Sequence, residues 1–421
     1  MKNIQFGVVC MALCSALAVL PLEAVVLRSP ADGEAVCLTT PGRQAFLRMS
    51  HGERRAAFTN LTWRKWAAKE IRSKPAPVVL RWEGVVPADG FRVSVVRTGQ
   101  ATPWFDERVT NCEATVWNLE IARDYAWTVS DGREEKTGHF RTQDLAPRDI
   151  HVEGIPNIRD LGGRVGLNGR RVRQGLVYRS GGLNDNADVY LSPGETMRLY
   201  KEGRLEELYG KQGKKVHDQI ARAKGKFEFD PKAPFLRKAI KRHDPRPPKA
   251  RLDESGRRYM TDKLGIKTDL DIRSDLECWS MTGSPLGPGV KWIHIPYRAY
   301  AGMGAANGKA SFKRAFAVFL DEKNYPIDFH CIGGADRTGS LAYVLEGLLG
   351  MDDESIEKDW EITCFEYESQ GFGHKARYDQ LLKVFAKYPG ATTRERCEAY
   401  VREQGFSDGD IGKLREIILE D

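Results

Sequence analysis

The sequence predicts an α/β domain, a central sheet flanked by helices and broken by a helical insertion, behind an N-terminal all-β sandwich. Three patterns predict it. Over residues 25–145 the runs PVVLRWEGV, FRVSVVRTG, ATVWNLE, DYAWTVSDG and GHFRT alternate apolar with polar residues between turns, the period of half-buried strands. Towards the other end, a short apolar run at 326–329 passes through a glycine-bearing loop straight into the apolar helical stretch TGSLAYVLEGLL. Residues 184–255 read instead as amphipathic helical segments closing in the proline-rich HDPRPPKAR. A chain of 421 residues has room for two domains. The division is expected at 143–148, where Ala146 and Pro147 follow the last sandwich strand, giving domains 25–145 and 146–421.

Residues 1–24 read as a secretory signal: Lys2, an apolar run from Phe6 to Leu20, then Pro21, Leu22, Glu23 and the small residue Ala24. The apolar part is too short to cross a bilayer, and no later segment is long enough. A soluble exported product, periplasmic or extracellular, is the expectation. Cys10 and Cys14 lie inside this leader and lack the context of a lipidated cysteine. Six of the eight cysteines follow it. Cys37 and Cys112 fall where an oxidising compartment would permit a bridge, which sequence alone does not establish. Cys278, Cys364 and Cys397 have no ligand-like spacing, so no metal and no other cofactor is expected.

In the sandwich, Leu119 stands six residues before Tyr125, Trp127 follows two further on, and Trp82 sits on an earlier strand. This resembles a fibronectin type III domain with its tyrosine corner. Trp82 and Trp127 are expected in its core rather than on a carbohydrate-binding face. Such a module acts as a spacer or contacts a protein or polymer. Residues 44–74 are helical in composition and are expected to interrupt the sandwich after its first strand. In the insertion, 19 Lys or Arg stand against 9 Asp or Glu between Arg198 and Arg258, a surplus larger than the whole-chain net charge of +7. Either it is a basic lid that steers acidic substrates, or a set of solvated helical faces. No nucleic-acid motif accompanies the charge, so no nucleic-acid partner is expected.

The chemistry concentrates in FHCIGGADRTGS, residues 329–340. A strand end joined to a helix N-terminus by a tight Gly333-Gly334 loop makes a nest of backbone N–H groups, and the helix dipole adds to the same field. Ile332, Gly333, Gly334 and Ala335 would line an anion with their backbone. Cys331, at the start, is placed to be a thiolate, because a helix N-terminus and nearby cations lower a thiol from about 8.5 to roughly 3.5–7.5. It would attack phosphorus and carry a cysteinyl phosphate. Arg337, separated from Cys331 by five intervening residues, offers a planar fork for two phosphate oxygens. Thr338 can donate to the sulfur as it leaves, and His330 is expected to brace the loop from behind. Asp336 is the only acid in the loop. It reads either as the acid that protonates the leaving oxygen and then activates water, or as an ion-pair partner of Arg337.

Upstream stand GIPNIRDLGG from Gly154, GLVYRSGGL from Gly175, and DIRS from Asp271 with Glu277 close behind. With HCIGGADRTG these four motifs, in this order, resemble the bacterial tyrosine and dual-specificity protein phosphatases, over roughly residue 150 to the end apart from 184–255. The resemblance implies a cysteine-phosphatase fold and hydrolysis of phosphotyrosine, and of phosphoserine or phosphothreonine, in a phosphorylated protein or small molecule. It implies Cys331 as nucleophile, Arg337 on phosphate and Asp336 as proton donor. That family usually carries lysine where this chain has Ala335, which removes a rim cation. Arg159, Asp160 and Arg298 join the expected substrate-binding set with the loop residues. For Arg159 with Asp160, and Arg273 with Glu277, the alternative is a structural ion pair closing a turn. The stretch WIHIPYRAYAGM, where related enzymes often carry a mobile acid, contains no Asp or Glu, which favours Asp336 as the acid and leaves Tyr297 as a further pocket candidate. Two alternatives remain open: an inositol polyphosphate or phosphoinositide phosphatase, and an inactive phosphate-binding or adhesion module. The intact Cys331 and Arg337 argue against the second.

Overall fold

All four residues of Ile327–His330 are buried, so this run can only be the middle of a sheet covered on both faces. In the computed structural model, β1 (Arg148–Asp149), β2 (Arg159–Asp160), β3 (Val177–Ser180), β4 (Thr268–Asp271), β5 (Lys291–His294) and β6 (Ile327–His330) form one sheet in the order β5-β4-β6-β3-β2-β1. The structure describes residues 24–59, 75–184, 188–190, 193–222, 241–243, 251–275, 277–278, 281–366 and 375–421. All but the last residue of the expected leader lies outside these, as do residues 60–74 of the helical stretch and much of the insertion. Strands β3, β6, β4 and β5 are parallel, and β1 and β2 extend the sheet antiparallel. Register puts Ser180 opposite His330 and His330 opposite Asp271. Three motifs far apart in the chain therefore end side by side on one carboxyl edge, where open α/β sheets bind ligands.

Helices α1 (Pro41–Arg48) and α2 (His51–Thr59) pack with this unit, not with the N-terminal strands. Phe46 and Leu47 bury against Ile362 and Phe365, and the fully buried Arg54 reaches Glu357 and Glu361 at 2.9 and 2.7 Å. In the insertion, α3 (Pro193–Lys201) and α4 (Leu205–Arg222) close a small core of their own around Leu199, Leu205, Val216 and Ile220. Among the described residues, a short helix at Glu254–Arg258 precedes β4, and further helices are α5 (Ala306–Val318), α6 (Asp336–Leu348), α7 (Asp353–Glu361), α8 (Lys375–Phe385), α9 (Thr393–Glu403) and α10 (Asp408–Ile418). Helix α6 is apolar nearly all round and is buried from Thr338 to Leu348, as a helix at the centre of a domain must be. It starts two residues before the expected Thr338, so Asp336 and Arg337 belong to its first turn.

The other unit takes in, among the described residues, 24–34, 79–116 and 124–141. Its strands are antiparallel: Phe91–Arg97 pairs with Phe105–Val109 and with Asp124–Ser130, which pairs in turn with Glu135–Thr142. A second ladder joins Val26–Ser29 to Val78–Glu83. Phe91, Val93 and Val95 are fully buried while Arg92 is exposed, the alternation expected from the sequence. Trp82 packs edge-on to Phe91 at 5.5 Å, and Trp82 and Trp127 are both core residues. Whereas the sequence suggests one cut near 143–148, contacts among the described residues group 35–59, 75–78 and 117–123 with the unit that holds the six-stranded sheet. The reason is visible in α1 and α2, whose apolar and charged partners lie on the segment 353–365. Cys37 and Cys112 are both free thiols. Among the described residues no helix is long and apolar enough to cross a membrane.

Candidate active site

The loop from Cys331 to Ala335 is shaped by what its carbonyls touch. His330 Nδ1 lies 3.2 Å from the Cys331 oxygen. Gly182 N–H donates to the Ile332 oxygen at 2.9 Å, and Gly339 N–H to that of Ala335 at 3.0 Å. Asn157 Nδ2 donates to Gly333 at 2.9 Å, and Arg179 Nη2 to Gly334 at 2.8 Å. With every carbonyl engaged outward, the N–H face of each planar trans peptide is turned the other way, into the loop. Glycine is required at 334. Its φ is +66°, and a Cβ there would lie 2.6 Å from the Ser180 carbonyl.

Cys331 sits at the bottom of this loop, 3% exposed. Burial pushes its thiol up, but the Arg337 charge and the Thr338 hydroxyl and backbone N–H outweigh that and hold it below the ordinary thiol value. Arg337 is held by Glu277, whose two oxygens accept from Nη1 at 2.6 Å and Nη2 at 3.2 Å. Glu277 is itself pinned by the backbone N–H and hydroxyl of Ser274 at 2.7 and 2.8 Å. A guanidinium has five N–H groups, so this clamp leaves three for a phosphate. Asp336 accepts from the Tyr300 hydroxyl and lies 3.3 Å from Arg377 Nη1. Tyr300 reaches it from a short 3-10 turn, Tyr300–Gly304, that it enters at a φ of 54°.

Behind the loop lies a buried polar cluster. His330 Nε2 meets Asp269 at 2.9 Å. Burial lowers the His330 pKa, but Asp271 and Asp269 win and raise it to about 9. The raised value favours the doubly protonated ring at neutral pH, which would donate to Asp269 and to the Cys331 carbonyl. Asp271 takes Arg273 in a bidentate pair at 2.9 and 2.6 Å. Asp328 accepts from Ser180 Oγ at 2.8 Å, and its burial pushes it up to about 7.

Arg159 and Asp160 do not open onto the phosphate space, where the sequence reading put them; they are 1% and 0% exposed. Neighbours on a strand point to opposite faces, so they cannot pair with each other either. Asp160 pairs with Arg148 at 2.8 Å and accepts from the Gly162 and Gly175 N–H groups. Arg159 reaches Asp359 at 2.8 Å and Asn157 Oδ1 at 2.5 Å. Arg273 and Glu277 likewise take separate partners, Asp271 and Arg337. Arg298 is exposed, and Tyr297 is buried in the core. The site residues that sequence reasoning did not single out are Asn157, Tyr300, Asp359 and Arg377. Asp359, on α7, gathers Arg159, Arg164 and Arg179, two of which hold the loop directly or through Asn157. Burial opposes its charge, yet the three guanidinium groups keep its carboxyl well below the usual range.

Residues 150–191 and 248–420, just over half the chain, match the model of the tyrosine phosphatase family. The chain belongs to the tyrosine phosphatase family. It is a tyrosine-phosphatase-like cysteine phosphatase, and its substrate is phosphorylated. The unmatched stretch 192–247 falls within the insertion. Among solved structures, the core catalytic domain of the PP-IP phosphatase SIW14 from S. cerevisiae, in complex with citrate, is similar at 17% identity, covering 32% of this phosphatase and 82% of that chain with a TM-score of 0.22. No curated protein matches the phosphatase in sequence.

Proposed function

We propose that this phosphatase hydrolyses phosphomonoesters, phosphotyrosine first and phosphoserine or phosphothreonine with it, in two steps through phospho-Cys331. The observation that carries the reading is the pair of Cys331, its thiol lowered by Arg337, and Arg337, its plane held by Glu277. In the first step the Cys331 sulfur forms a bond to phosphorus as the ester oxygen leaves, taking the Asp336 proton. In the second, Asp336 takes a proton from water, whose oxygen bonds phosphorus while the S–P bond breaks to return the thiolate. Arg337 and the loop N–H groups hold the equatorial oxygens throughout. Thr338 supports the thiolate as it forms and leaves. The leader reading supports export, and the alternation of the N-terminal strands supports a fibronectin type III-like module contacting a protein or polymer.

The test is Cys331→Ser against para-nitrophenyl phosphate and a phosphotyrosine peptide. The hydroxyl is not ionised, so turnover is lost while vanadate still binds to Arg337 and the loop. Near wild-type turnover would overturn the covalent route.

A further inference from the structure

Asp336 is gripped from two sides, by Tyr300 and by Arg377. Each of these residues leads along the chain to a wall of a second cleft, without lining it. Tyr300 is followed directly by Ala301 and the turn to Gly304, which form one wall. Arg377 stands near the start of α8, whose Gln380 and Lys383, with Lys387 in the turn just past its end, form the other. Gln380 and Val384 follow Arg377 by about one and two turns on one face of α8, so the cleft lies along α8 beyond the turn that carries Arg377. Its volume is about 600 Å³.

The charge in this cleft is unbalanced. Lys309 is answered by Glu403 at 2.7 Å, and the same carboxylate takes the Tyr388 hydroxyl at 2.6 Å. Lys383 and Lys387 have no ion pair among the described residues and are exposed. Two free ammonium groups in one concave surface next to a phosphate site raise the local concentration of anions.

We infer that this cleft binds acidic side chains of a phosphorylated peptide, those flanking the residue whose phosphate enters the Cys331 loop. The inference rests on the phosphomonoesterase reading above and adds its substrate class. Distance selects the occupant. At 1.5 Å per residue, Lys383 lies roughly 9 Å along α8 from Arg377, and Lys387 lies about one turn further, just past the helix end. An extended peptide advances about 3.3 Å per residue, so carboxylates about three to five positions from the phosphorylated residue meet these lysines. A compact polyphosphorylated ring is too small to span both lysines from the loop.

The experiment compares kcat/KM for three substrates: para-nitrophenyl phosphate, a phosphotyrosine peptide with alanines at positions three to five on both sides, and the same peptide with glutamates there. The wild-type protein prefers the glutamate peptide by roughly five- to twenty-fold at low salt, the range of two exposed charge pairs, and added salt erodes the preference. The double variant Lys383→Ala/Lys387→Ala loses that preference through KM, while para-nitrophenyl phosphate turnover is unchanged. A wild-type protein indifferent to the glutamates, or a double variant that keeps the preference, overturns the inference. Failure of the wild-type protein on para-nitrophenyl phosphate would overturn the phosphomonoesterase reading itself, a separate result.

Discussion

Arg337 gives both terminal nitrogens to Glu277, at 2.6 and 3.2 Å, so the plane of its guanidinium is set before any phosphate arrives. A charge-assisted pair of this kind contributes by preorganisation: a fork already in position loses little freedom when it binds. Glu277→Gln keeps the shape and removes the charge. The expected outcome is a loss of about 10- to 100-fold in kcat/KM for para-nitrophenyl phosphate, with KM raised. Unchanged kinetics would show that Arg337 positions itself without help.

Asp336 is tested by the leaving group. If it supplies the proton, Asp336→Asn slows a phosphoserine peptide by ~10²–10⁴-fold and para-nitrophenyl phosphate little, because only the poor leaving group needs protonation. Tyr300→Phe removes the hydroxyl that Asp336 accepts from, and gives a smaller loss with the same selectivity. Equal losses on both substrates, carried in KM, would instead make Asp336 a holder of neighbouring charge.

Asp359→Asn leaves Arg159, Arg164 and Arg179 buried against too little negative charge. Removing one partner of a buried network costs about 3–5 kcal/mol. Urea unfolding of the variant is expected to show a lower midpoint at unchanged slope, and phosphate binding weakens with it as Asn157 and Arg179 release the loop. A midpoint equal to wild type would remove Asp359 from this role.

Stability should fall as pH rises through neutrality. His330, held at about 9 against an ordinary 6.5, contributes stability that is full below 6.5 and lost as pH passes through 9. Asp328, pushed up to about 7 by burial, destabilises progressively as pH climbs from its ordinary 3.8 to 7. Asp271 and Asp359 act oppositely: burial opposes their charge, but their cationic neighbours hold both below 3.8, so what they contribute is lost only in acid. The maximum therefore lies on the acid side of neutrality, with up to about 3 kcal/mol from His330 lost by pH 9. Urea titrations at pH 5, 7 and 9 measure this, and His330→Gln should flatten the upper half. A curve that rises from pH 5 to 9 would contradict it.

The strand, loop and helix around Cys331 were legible in the sequence because they are local: apolar run, glycines and apolar helix follow one another without a gap. Cys331 and Arg337 stand six positions apart, at the two ends of the loop's turn into α6, and could be read together. The supports of the loop were not legible, because they are joined only in three dimensions. Arg159 and Asp359 stand 200 residues apart, and Asp359 lies in DESIEKDWE, whose acids look like a solvated helix face. Asn157 sits in a motif noted in the sequence, but nothing local shows that its amide reaches Gly333, 176 residues on. Pairing Arg159 with Asp160 by adjacency failed for a geometric reason, since strand neighbours face apart. Tyr300 is not legible in a segment without carboxylates, because its part is to grip a carboxylate that lies elsewhere in the chain.

The outward turn of all five carbonyls from Cys331 to Ala335 has a consequence for anyone designing an inhibitor. What a ligand meets inside the loop is main chain, one sulfur and one guanidinium, a surface that recognises a charged tetrahedron and nothing of the molecule that carried it. A compound confined to that space has almost no side chain to distinguish this protein from another built on the same loop. Discrimination has to be sought where the ligand emerges, among Tyr300, Arg377 and, beyond them, Lys383 and Lys387.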